Sequence, residues 1–247
     1  NMYLARMTED HERWEANYFK AGLLPPFSFM YDGRPSSRFI ANWIFSPEER
    51  RSSDIGSERI YTYADPATGL RVRCELISFD DFPAIEWVLR FRNDAKGDTP
   101  IIEDVQSLDI DITLGQGDFI LHRALGSDAR KDDFAPIDEP ILPNMQVRLA
   151  PIGGRSSNRT SIPFYNIEYP KVGGVMVAIG WSGQWAASFA RDGGPSLRAR
   201  AGMELTHIRL HGGEEIRTPR ITLLFWKGDD YIICLLYTSP SPRDRQK

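Results

Sequence analysis

The chain has 247 residues, a formal net charge of −4 and enough hydrophobic residues, 41% of the total, to build a sizeable core. The mild acidity argues against a nucleic-acid partner, because phosphate binding needs a concentrated basic face. No apolar stretch approaches the roughly 20 residues that a membrane-spanning helix requires. We therefore expect one large domain or two small ones, with neither nucleic acid nor a membrane as a partner.

A helical pattern is confined to about the first twenty residues. The segment TEDHERWEANYFKAG begins at Thr8, which suits an N-cap, and ends at Gly22, which suits a C-terminal stop. The sequence starts with Asn1 instead of Met, so it gives no information about a leader peptide.

Hydrophobic and polar residues alternate through most of the remaining chain. In LRVRCELISF, the apolar positions from Leu70 share one face and the charged positions from Arg71 share the other. The same period of two recurs in AIEWVLRFRN (84–93), LDIDITL (108–114), MQVRLA (145–150), QWAASFAR (184–191) and SLRARAG (196–202). Strict alternation is typical of strands with one face in water, as in antiparallel sheets.

Turns rich in Gly, Asp and Pro separate these segments, and together they predict the fold class. Roughly a dozen closely spaced strands indicate an all-β fold, a large sandwich of two mostly antiparallel sheets. We expect Val72, Leu89, Ile110 and Leu223 to be buried, because they lie on the apolar faces. The acidic, proline-punctuated stretch 128–144 is predicted to be an ordered surface loop.

The spacing of histidines and carboxylates indicates no metal site or catalytic pair. His207 and His211 lie on one face of a predicted strand, about 13 Å apart at roughly 3.3 Å per residue, which is too far to share one ion. Adjacent carboxylates on a strand point to opposite faces, so we predict structural roles for the pairs 80–81, 132–133 and 229–230.

Fingerprints of cofactor-dependent chemistry are missing from the sequence. It contains no serine nucleophile elbow, P-loop or dinucleotide motif, and no Cys/His spacing that indicates zinc. We therefore expect no cofactor and no metal.

Tryptophans offer candidates for ligand contact. Trp181 and Trp185 bracket the turn GWSGQW, and Trp43 lies in ANWIFSP. Aromatic faces stack on the apolar side of pyranose rings, but most tryptophans of a β-sandwich simply fill its core. Both interpretations stay open for these residues.

Four collinear segments resemble the N-terminal domain of glycoside hydrolase family 36, the α-galactosidase family. They are 65–112 with its F.D.P turn and R..N.G motif, the Ser-rich segment before PF in GGRSSNRTSIPFYNIEYP (153–170), the G.SG.W hairpin in VMVAIGWSGQWAASF (175–189), and the closing strands at 200–229. The resemblance extends over about residues 25 to 231.

The resemblance implies a galactose mutarotase-like β-supersandwich that is cut off before a catalytic (β/α)8 barrel. The family's nucleophile and acid/base aspartates lie in that barrel, and no residue of this chain matches either one. The implied function is that of a non-catalytic domain of a retaining glycosidase for terminal α-galactosides of the raffinose or melibiose type. The implied partners are α-galactoside oligosaccharides, the chain's own missing barrel and further copies in a homo-oligomer, with the bacterial cytoplasm as the expected location.

The resemblance also suggests where such a domain contacts substrate, since its loops can approach the active site of a neighbouring subunit. The candidates are Trp43, as a stacking face, and Arg155, Ser156, Ser157 and Asn158, as hydrogen-bond donors. Alternatively, Trp43 belongs to the core and the Ser-rich loop seals the interface with the barrel.

The last residues of the chain resemble a processing scar. CLLYTSPSPRD, from Cys234 to Asp244, matches one translated frame of a sequencing-library adapter. We therefore predict a native domain at 1–233 and a non-native tail at 234–247. Without the tail, which has three basic residues and one acidic residue, the net charge changes from −4 to −6, and Cys74 remains as a single cysteine.

Two other functions stay open. The first is a freestanding carbohydrate-binding or assembly sandwich without enzymatic activity. The second is an aldose mutarotase-like enzyme of similar fold, which needs a histidine acid and a Glu or Asp base in one cleft. His122 and His207 are the strand-borne candidates for that acid.

Overall fold

The computed structural model describes residues 14–53, 56–113 and 117–228 and shows two antiparallel sheets. The predicted all-β, two-sheet sandwich is confirmed. Within the described residues there are seventeen strands, more than the rough dozen expected, because several are only two to four residues long. Two single-turn 3-10 helices precede the third strand, at Ser36–Arg38 and Ile40–Asn42.

The smaller sheet has seven strands. They are β1 (Ser28–Tyr31), β2 (Arg34–Pro35), β7 (Ile102–Thr113), β10 (Gln146–Leu149), β13 (Trp185–Arg191), β14 (Ser196–Met203) and β15 (His207–Ile208). Their order is β10-β13-β14-β7-β1-β2, and β15 also pairs with β7.

The larger sheet has ten strands. They are β3 (Ile44–Ser53), β4 (Gly56–Ala64), β5 (Leu70–Phe79), β6 (Ala84–Asn93), β8 (Phe119–Ala124), β9 (Pro136–Ile141), β11 (Phe164–Tyr169), β12 (Gly173–Gly180), β16 (Glu215–Arg217) and β17 (Arg220–Lys227). Their order is β3-β4-β5-β6-β17-β12-β11-β8-β9, and β16 also pairs with β6.

The core lies between the two sheets and is filled by the apolar half of each alternating strand. Val72, Leu89 and Leu223 are completely buried and Ile110 is 4% exposed, which confirms the four core predictions. Residues along β5 alternate strictly between buried and half-buried, as the sequence predicts. Period-two patterning therefore accounts for most of this core.

Residues 14–18 are helical, and aromatic side chains of this segment pack onto the core. Trp14 stacks on Trp87 at 5.6 Å between ring centroids, and Phe19, just after the helix, stacks on Tyr61 at 4.2 Å. Gly22 adopts a left-handed conformation, with φ of 81°, where the chain turns away. The predicted cap Thr8 lies outside the described residues, and no helix within them is long and apolar enough to cross a membrane.

The stretch 128–144 differs from its prediction, because part of it is a strand. β9 forms the edge of the larger sheet and pairs with β8 from Ala124↔Pro136 to Phe119↔Ile141. Proline lacks the N–H of a ladder, so it is tolerated mainly in edge strands. The prolines that suggested a loop are therefore compatible with this position.

The outer face of the larger sheet is less polar than strict alternation suggests. Ile60, Val88 and Trp226 are each no more than 5% exposed, although they lie outside the main core cluster. Trp226 covers Gly174, where an added Cβ would lie only 2.7 Å from the indole ring. This sheet therefore presents apolar surface on both of its faces.

Candidate functional site

The Gly/Ser-rich loop between β10 and β11 is fixed to the turn before β13 through its backbone. Gln184 makes two of these contacts: its Oε1 accepts from the Gly154 N–H at 2.8 Å, and its Nε2 donates to the Pro151 carbonyl. The Trp185 indole N–H donates to the Ser156 carbonyl at 2.7 Å. The GWSGQW turn therefore sets the conformation of the loop.

Asn158 closes the far end of the same loop. Its Nδ2 donates to the Ile152 carbonyl at 2.9 Å, while its Oδ1 accepts from the N–H and the hydroxyl of Thr160 at 3.0 and 2.6 Å. Its backbone also forms an isolated antiparallel β-bridge with Ser161. The amide is thus engaged in shaping the loop.

Arg155 and Ser157 are exposed polar side chains of this loop. Within the part of the chain that the structure describes, neither side chain makes a hydrogen bond or an ion pair. A guanidinium with five N–H groups and a hydroxyl are therefore available to an external ligand at this point.

Trp43 lies between the second 3-10 turn and β3, inside an aromatic cluster. Its ring stacks on Phe39 at 5.1 Å and meets Tyr31 and Phe29 at 6.2 and 6.0 Å. Only 9% of the residue is exposed, so little of the ring face is open for stacking. The structure places Trp43 in the core, the alternative weighed for it, and its contact with a sugar stays a prediction.

Trp43 and the Ser-rich loop lie towards opposite edges of the molecule. In the smaller sheet, β1, which Trp43 contacts, is four strand spacings away from β10, which leads into the loop. At about 4.8 Å per spacing, this corresponds to roughly 19 Å. A single copy of the chain therefore does not combine the predicted site residues into one site.

The two C-terminal histidines do not share a strand face, so that prediction is wrong. β15 ends at Ile208, and His211 lies beyond it. His207 Nδ1 lies 2.7 Å from Glu103 Oε1, and His211 Nδ1 lies 2.7 Å from Asp98 Oδ1. Each ring pairs with its own carboxylate on the surface.

The adjacent carboxylates that the structure describes are exposed or hold a turn. Asp133 accepts hydrogen bonds from the Ser127 hydroxyl at 2.5 Å and the Asp128 N–H at 3.1 Å, and these bonds lower the pKa of its carboxyl. Residues 80–81 lie in the exposed β5–β6 turn, and residues 229–230 lie outside the described residues. None of the described pairs is directed into a cleft.

Cys74 has a structural role on the inner face of β5. The residue is completely buried, and this burial raises the pKa of its thiol well above 9. A protonated, inaccessible thiol is a poor nucleophile and a poor metal ligand. Across the described ranges, no group of three or more His, Cys, Asp or Glu side chains is arranged to hold a metal ion.

A cavity of about 460 Å³ opens on the outer face of the larger sheet, where the sequence predicted no site. One row of directly paired residues crosses its floor: Asp138, His122, Asn166, Met176 and Leu224. Beside that row lie Pro136, Ala124, Phe164, Ala178 and Thr222. Phe164 is 58% exposed, an unusually open position for a phenylalanine.

A histidine bridged by two carboxylates lies at one side of this cavity. His122 Nδ1 is 2.7 Å from Asp138 Oδ1, and its Nε2 is 2.6 Å from Glu168 Oε2. The mutarotase alternative needs a histidine and a carboxylate in one cleft, and His122 and Asp138 both line this cavity. However, both ring nitrogens are occupied by carboxylates, so neither is presented to the cavity as a free acid.

Asn166, in the centre of the cavity floor, has an unsatisfied donor. The residue is 6% exposed, and its Oδ1 accepts from the Trp226 indole N–H at 2.8 Å. Its Nδ2 is buried and has no hydrogen-bond partner among the described residues. Burying a donor without a partner is unfavourable, so it is uncommon in native proteins.

A sequence signal for this cavity existed, but it was weak. The strands FYNIEY and VMVAIG carry Phe164, Met176 and Ala178 at positions where alternation assigns the side chain to water. Apolar residues on both faces are also compatible with a fully buried strand, so the pattern alone did not distinguish an open cavity from a covered sheet.

Comparisons with known proteins identify the fold. No protein-family model matches the chain, and no curated protein is significantly similar to it in sequence. Among solved structures, an α-galactosidase from Lactobacillus brevis aligns with a TM-score of 0.62 and 15% identity, over 83% of this chain and 29% of that one. A family 36 α-galactosidase from Geobacillus stearothermophilus, solved with raffinose, aligns with a TM-score of 0.58 and 14% identity, over 83% and 30%.

A third similar structure has a different sugar specificity. An α-N-acetylgalactosaminidase from Bifidobacterium bifidum, solved with GalNAc, aligns with a TM-score of 0.56 and 11% identity, over 85% of this chain and 32% of that one. The chain thus spans about 30% of the length of these enzymes. At these identities, the likeness establishes a shared supersandwich fold.

Proposed function

We propose that this chain is the N-terminal domain of a retaining glycoside hydrolase of family 36 that acts on terminal α-galactosides of the raffinose or melibiose type. In this proposal, the sandwich supports a catalytic (β/α)8 barrel that follows it in the parent protein and contributes to a homo-oligomer. The catalytic nucleophile and acid/base belong to that barrel, so the chain itself contains neither.

The observation that carries this proposal is the agreement of two independent comparisons. The collinear motifs from residue 65 to 229 resemble family 36, and the fold aligns with enzymes of that kind over most of the described chain. Several solved neighbours are α-galactosidases, while one is an α-N-acetylgalactosaminidase. Specificity for galactose over N-acetylgalactosamine is therefore part of the proposal.

Within this function, we assign substrate contact chiefly to the exposed half of the Ser-rich loop. Arg155 and Ser157 carry the available donors, whereas Ser156 and Asn158 hold the loop by their backbone and amide contacts. Trp43 lies at the other edge, so any sugar contact it makes is with a different subunit or a different part of the substrate. Because Trp43 is buried, its replacement by alanine would also destabilise the fold, and Arg155 is the cleaner test.

The proposal is tested with the parent enzyme encoded by the source DNA. It should hydrolyse an aryl α-galactoside and raffinose, and the 247-residue chain alone should hydrolyse neither. Arg155→Ala in the parent should lower kcat/KM for raffinose by about 10-fold or more, as expected for a lost hydrogen bond to a substrate hydroxyl. Arg209→Ala, at an exposed arginine that directly follows β15 and lies outside the Ser-rich loop, is the matched control and should have no effect.

The competing function is a freestanding carbohydrate-binding or assembly sandwich. It predicts sugar binding by a protein that ends soon after this domain, with no turnover in any form. Turnover by the chain alone that is abolished by replacing one of its own carboxylates would contradict both functions and favour an enzyme centred on this sandwich.

A further inference from the structure

The cavity on the outer face of the larger sheet has the size and the composition of a small-molecule site. Its volume of about 460 Å³ falls within the range of roughly 300–1,000 Å³ that is usual for ligand pockets. Such pockets are mainly apolar and contain a few fixed polar groups. This cavity is likewise mainly apolar and contains a few polar groups. It is open to solvent on the outer face of the larger sheet.

Phe164 provides a stacking platform in this cavity. It is 58% exposed, and its direct partner on β12 is Ala178. Ala124 on β8 also lines the cavity. Because both alanines are small, they leave the faces of the phenyl ring uncovered. An open aromatic face suits the C–H face of a sugar ring, which is flat and apolar.

Asn166 provides an unused donor beneath the same surface. Its Nδ2 has no hydrogen-bond partner within the described chain, although only 6% of the residue is exposed. Met176 lies directly across from it on β12 and has a flexible, unbranched side chain. A shift of that side chain would bring the amide into contact with a ligand hydroxyl, which would satisfy the donor.

The charged groups at the cavity favour a neutral ligand with hydroxyl groups. Asp138, whose side chain is 69% exposed, and Glu168 flank His122 and supply carboxylate acceptors. Arg123 also lines the cavity, but its guanidinium pairs with Glu139 at 3.0 Å, so the charged groups of this cavity do not favour an anionic ligand. Hydroxyl groups can donate to these oxygens while the apolar ring face stacks on Phe164.

We propose that this cavity binds a neutral pyranose ring, which stacks on Phe164 and accepts a hydrogen bond from Asn166 Nδ2. The cavity includes Ile162, near the end of the connection between β10 and β11, but none of the candidate residues 153–158 of the Ser-rich loop, and it does not require a catalytic barrel. The test of this proposal therefore does not depend on the function assigned to the parent protein.

The test is sugar binding by the 247-residue chain, measured by isothermal titration calorimetry and by saturation-transfer NMR. The probes are methyl α-D-galactopyranoside, methyl α-D-glucopyranoside and raffinose. Phe164→Ala removes the platform, and Asn166→Asp removes the donor while it keeps an oxygen that accepts from Trp226. Phe82→Ala, at an exposed phenylalanine of the β5–β6 turn, is the matched control.

We expect at least one of these sugars to bind and each cavity variant to weaken that binding by about 10-fold or more, with Phe82→Ala unchanged. Circular dichroism must show that the variants remain folded, and Phe164→Ala is a surface change that keeps the test valid even if Asn166→Asp unfolds. Equal binding by all variants would overturn the proposal. Absence of binding by all three sugars would also overturn it, and Phe164-dependent binding of an apolar dye would then identify the face as a protein contact.

Discussion

Glu15 is a buried carboxylate that holds the helical segment at residues 14–18 against the larger sheet. It accepts hydrogen bonds from Arg59 at 2.6 Å, from Ser78 at 3.2 Å and from the hydroxyl of Tyr61. Burial and this contact with Glu15 raise the pKa of Tyr61 far above 10, so the phenol stays a donor at any physiological pH. One side chain thus joins elements that are 44 to 63 residues apart in sequence.

Glu15→Gln should lower the free energy of unfolding by about 1–3 kcal/mol, because it removes the charge that three buried or half-buried donors share. Chemical denaturation measures the change. Glu49→Gln is the matched control, since Glu49 lies 4.0 Å from the same guanidinium but has a side chain that is 76% exposed. It should cost less than about 0.5 kcal/mol, and equal losses for the two variants would contradict the assigned role of Glu15.

His211 should titrate at a higher pH than an isolated histidine. The hydrogen bond from its ring to Asp98 and the charge of that carboxylate raise its pKa above 6.5. The folded state therefore favours the protonated ring, and this stabilisation is fully present below the unfolded-state pKa and is lost as the pH rises through the folded-state pKa.

An NMR titration of His211 tests this prediction directly. Asp98→Asn should lower the pKa of His211, because it removes the negative charge while it keeps an acceptor. Asp94→Asn, which changes a carboxylate that pairs with Arg71 and Arg92, should leave the His211 titration unchanged. A His211 pKa that does not respond to Asp98→Asn would show that the contact is absent in solution.

At the scale of elements, the Ser-rich loop and the GWSGQW turn form one unit. Gln184 and Trp185 bind the backbone of the loop, so the turn determines where Arg155 and Ser157 project. Gly126 on the neighbouring connection has no room for a side chain, because a Cβ there would overlap the Asn158 carbonyl. The loop is thus supported from two sides.

Gln184→Ala should loosen this loop without unfolding the sandwich. We expect amide hydrogen exchange at residues 152–158 to increase by about 30-fold, since two backbone contacts worth roughly 1 kcal/mol each are lost. Exchange along β5 should stay unchanged. Arg155→Ala is the control, because its side chain holds no part of the loop, and similar exchange in both variants would contradict the anchoring role of Gln184.

The strands were predictable from the sequence where one face of the sheet contacts solvent and the other face is buried. Leu70 to Leu76 and Trp185 to Phe189 alternate cleanly, and their burial follows the sequence pattern. The edge strand β9 was missed because its prolines resemble loop signals. The cavity was missed for a related reason: Met176 and Ala178 make an exposed face look like a second buried one.

The candidate ligand residues show the limit of local patterns more clearly. The sequence identified Trp43 and Asn158 by residue type, but burial and hydrogen-bond partners come from strands far away in the chain. Trp43 is enclosed by the aromatic cluster around β1, and Asn158 is occupied by its own loop. Arg155 is available for a ligand because no neighbour reaches it, a property that only the three-dimensional arrangement reveals.

At the scale of the whole molecule, the described residues form a sandwich whose two sheets enclose one hydrophobic core. The two sheets cover each other with residues that are almost entirely buried, and the helical segment at residues 14–18 covers part of the larger sheet. The larger sheet has an outer face with buried and open apolar residues, which leaves room for a ligand or for further protein.

Deleting the predicted tail at 234–247 should leave the melting temperature of the chain unchanged within about 1 °C, because a segment of adapter origin was never selected to pack on this core. Differential scanning calorimetry of the 1–233 and 1–247 chains measures the difference. A clear loss of stability in the shorter chain would identify the segment as native.

The most direct test of the central claim is the sequence of the uninterrupted gene in the source DNA, read past the codon for Ile233. An N-terminal domain of a family 36 hydrolase predicts an open frame that continues through alternating strand and helix patterns of a (β/α)8 barrel. The continuation should be about twice as long as this chain, since the similar enzymes are roughly three times its length, and should include the two catalytic aspartates. A stop codon shortly after that position would contradict the claim and leave a freestanding sandwich.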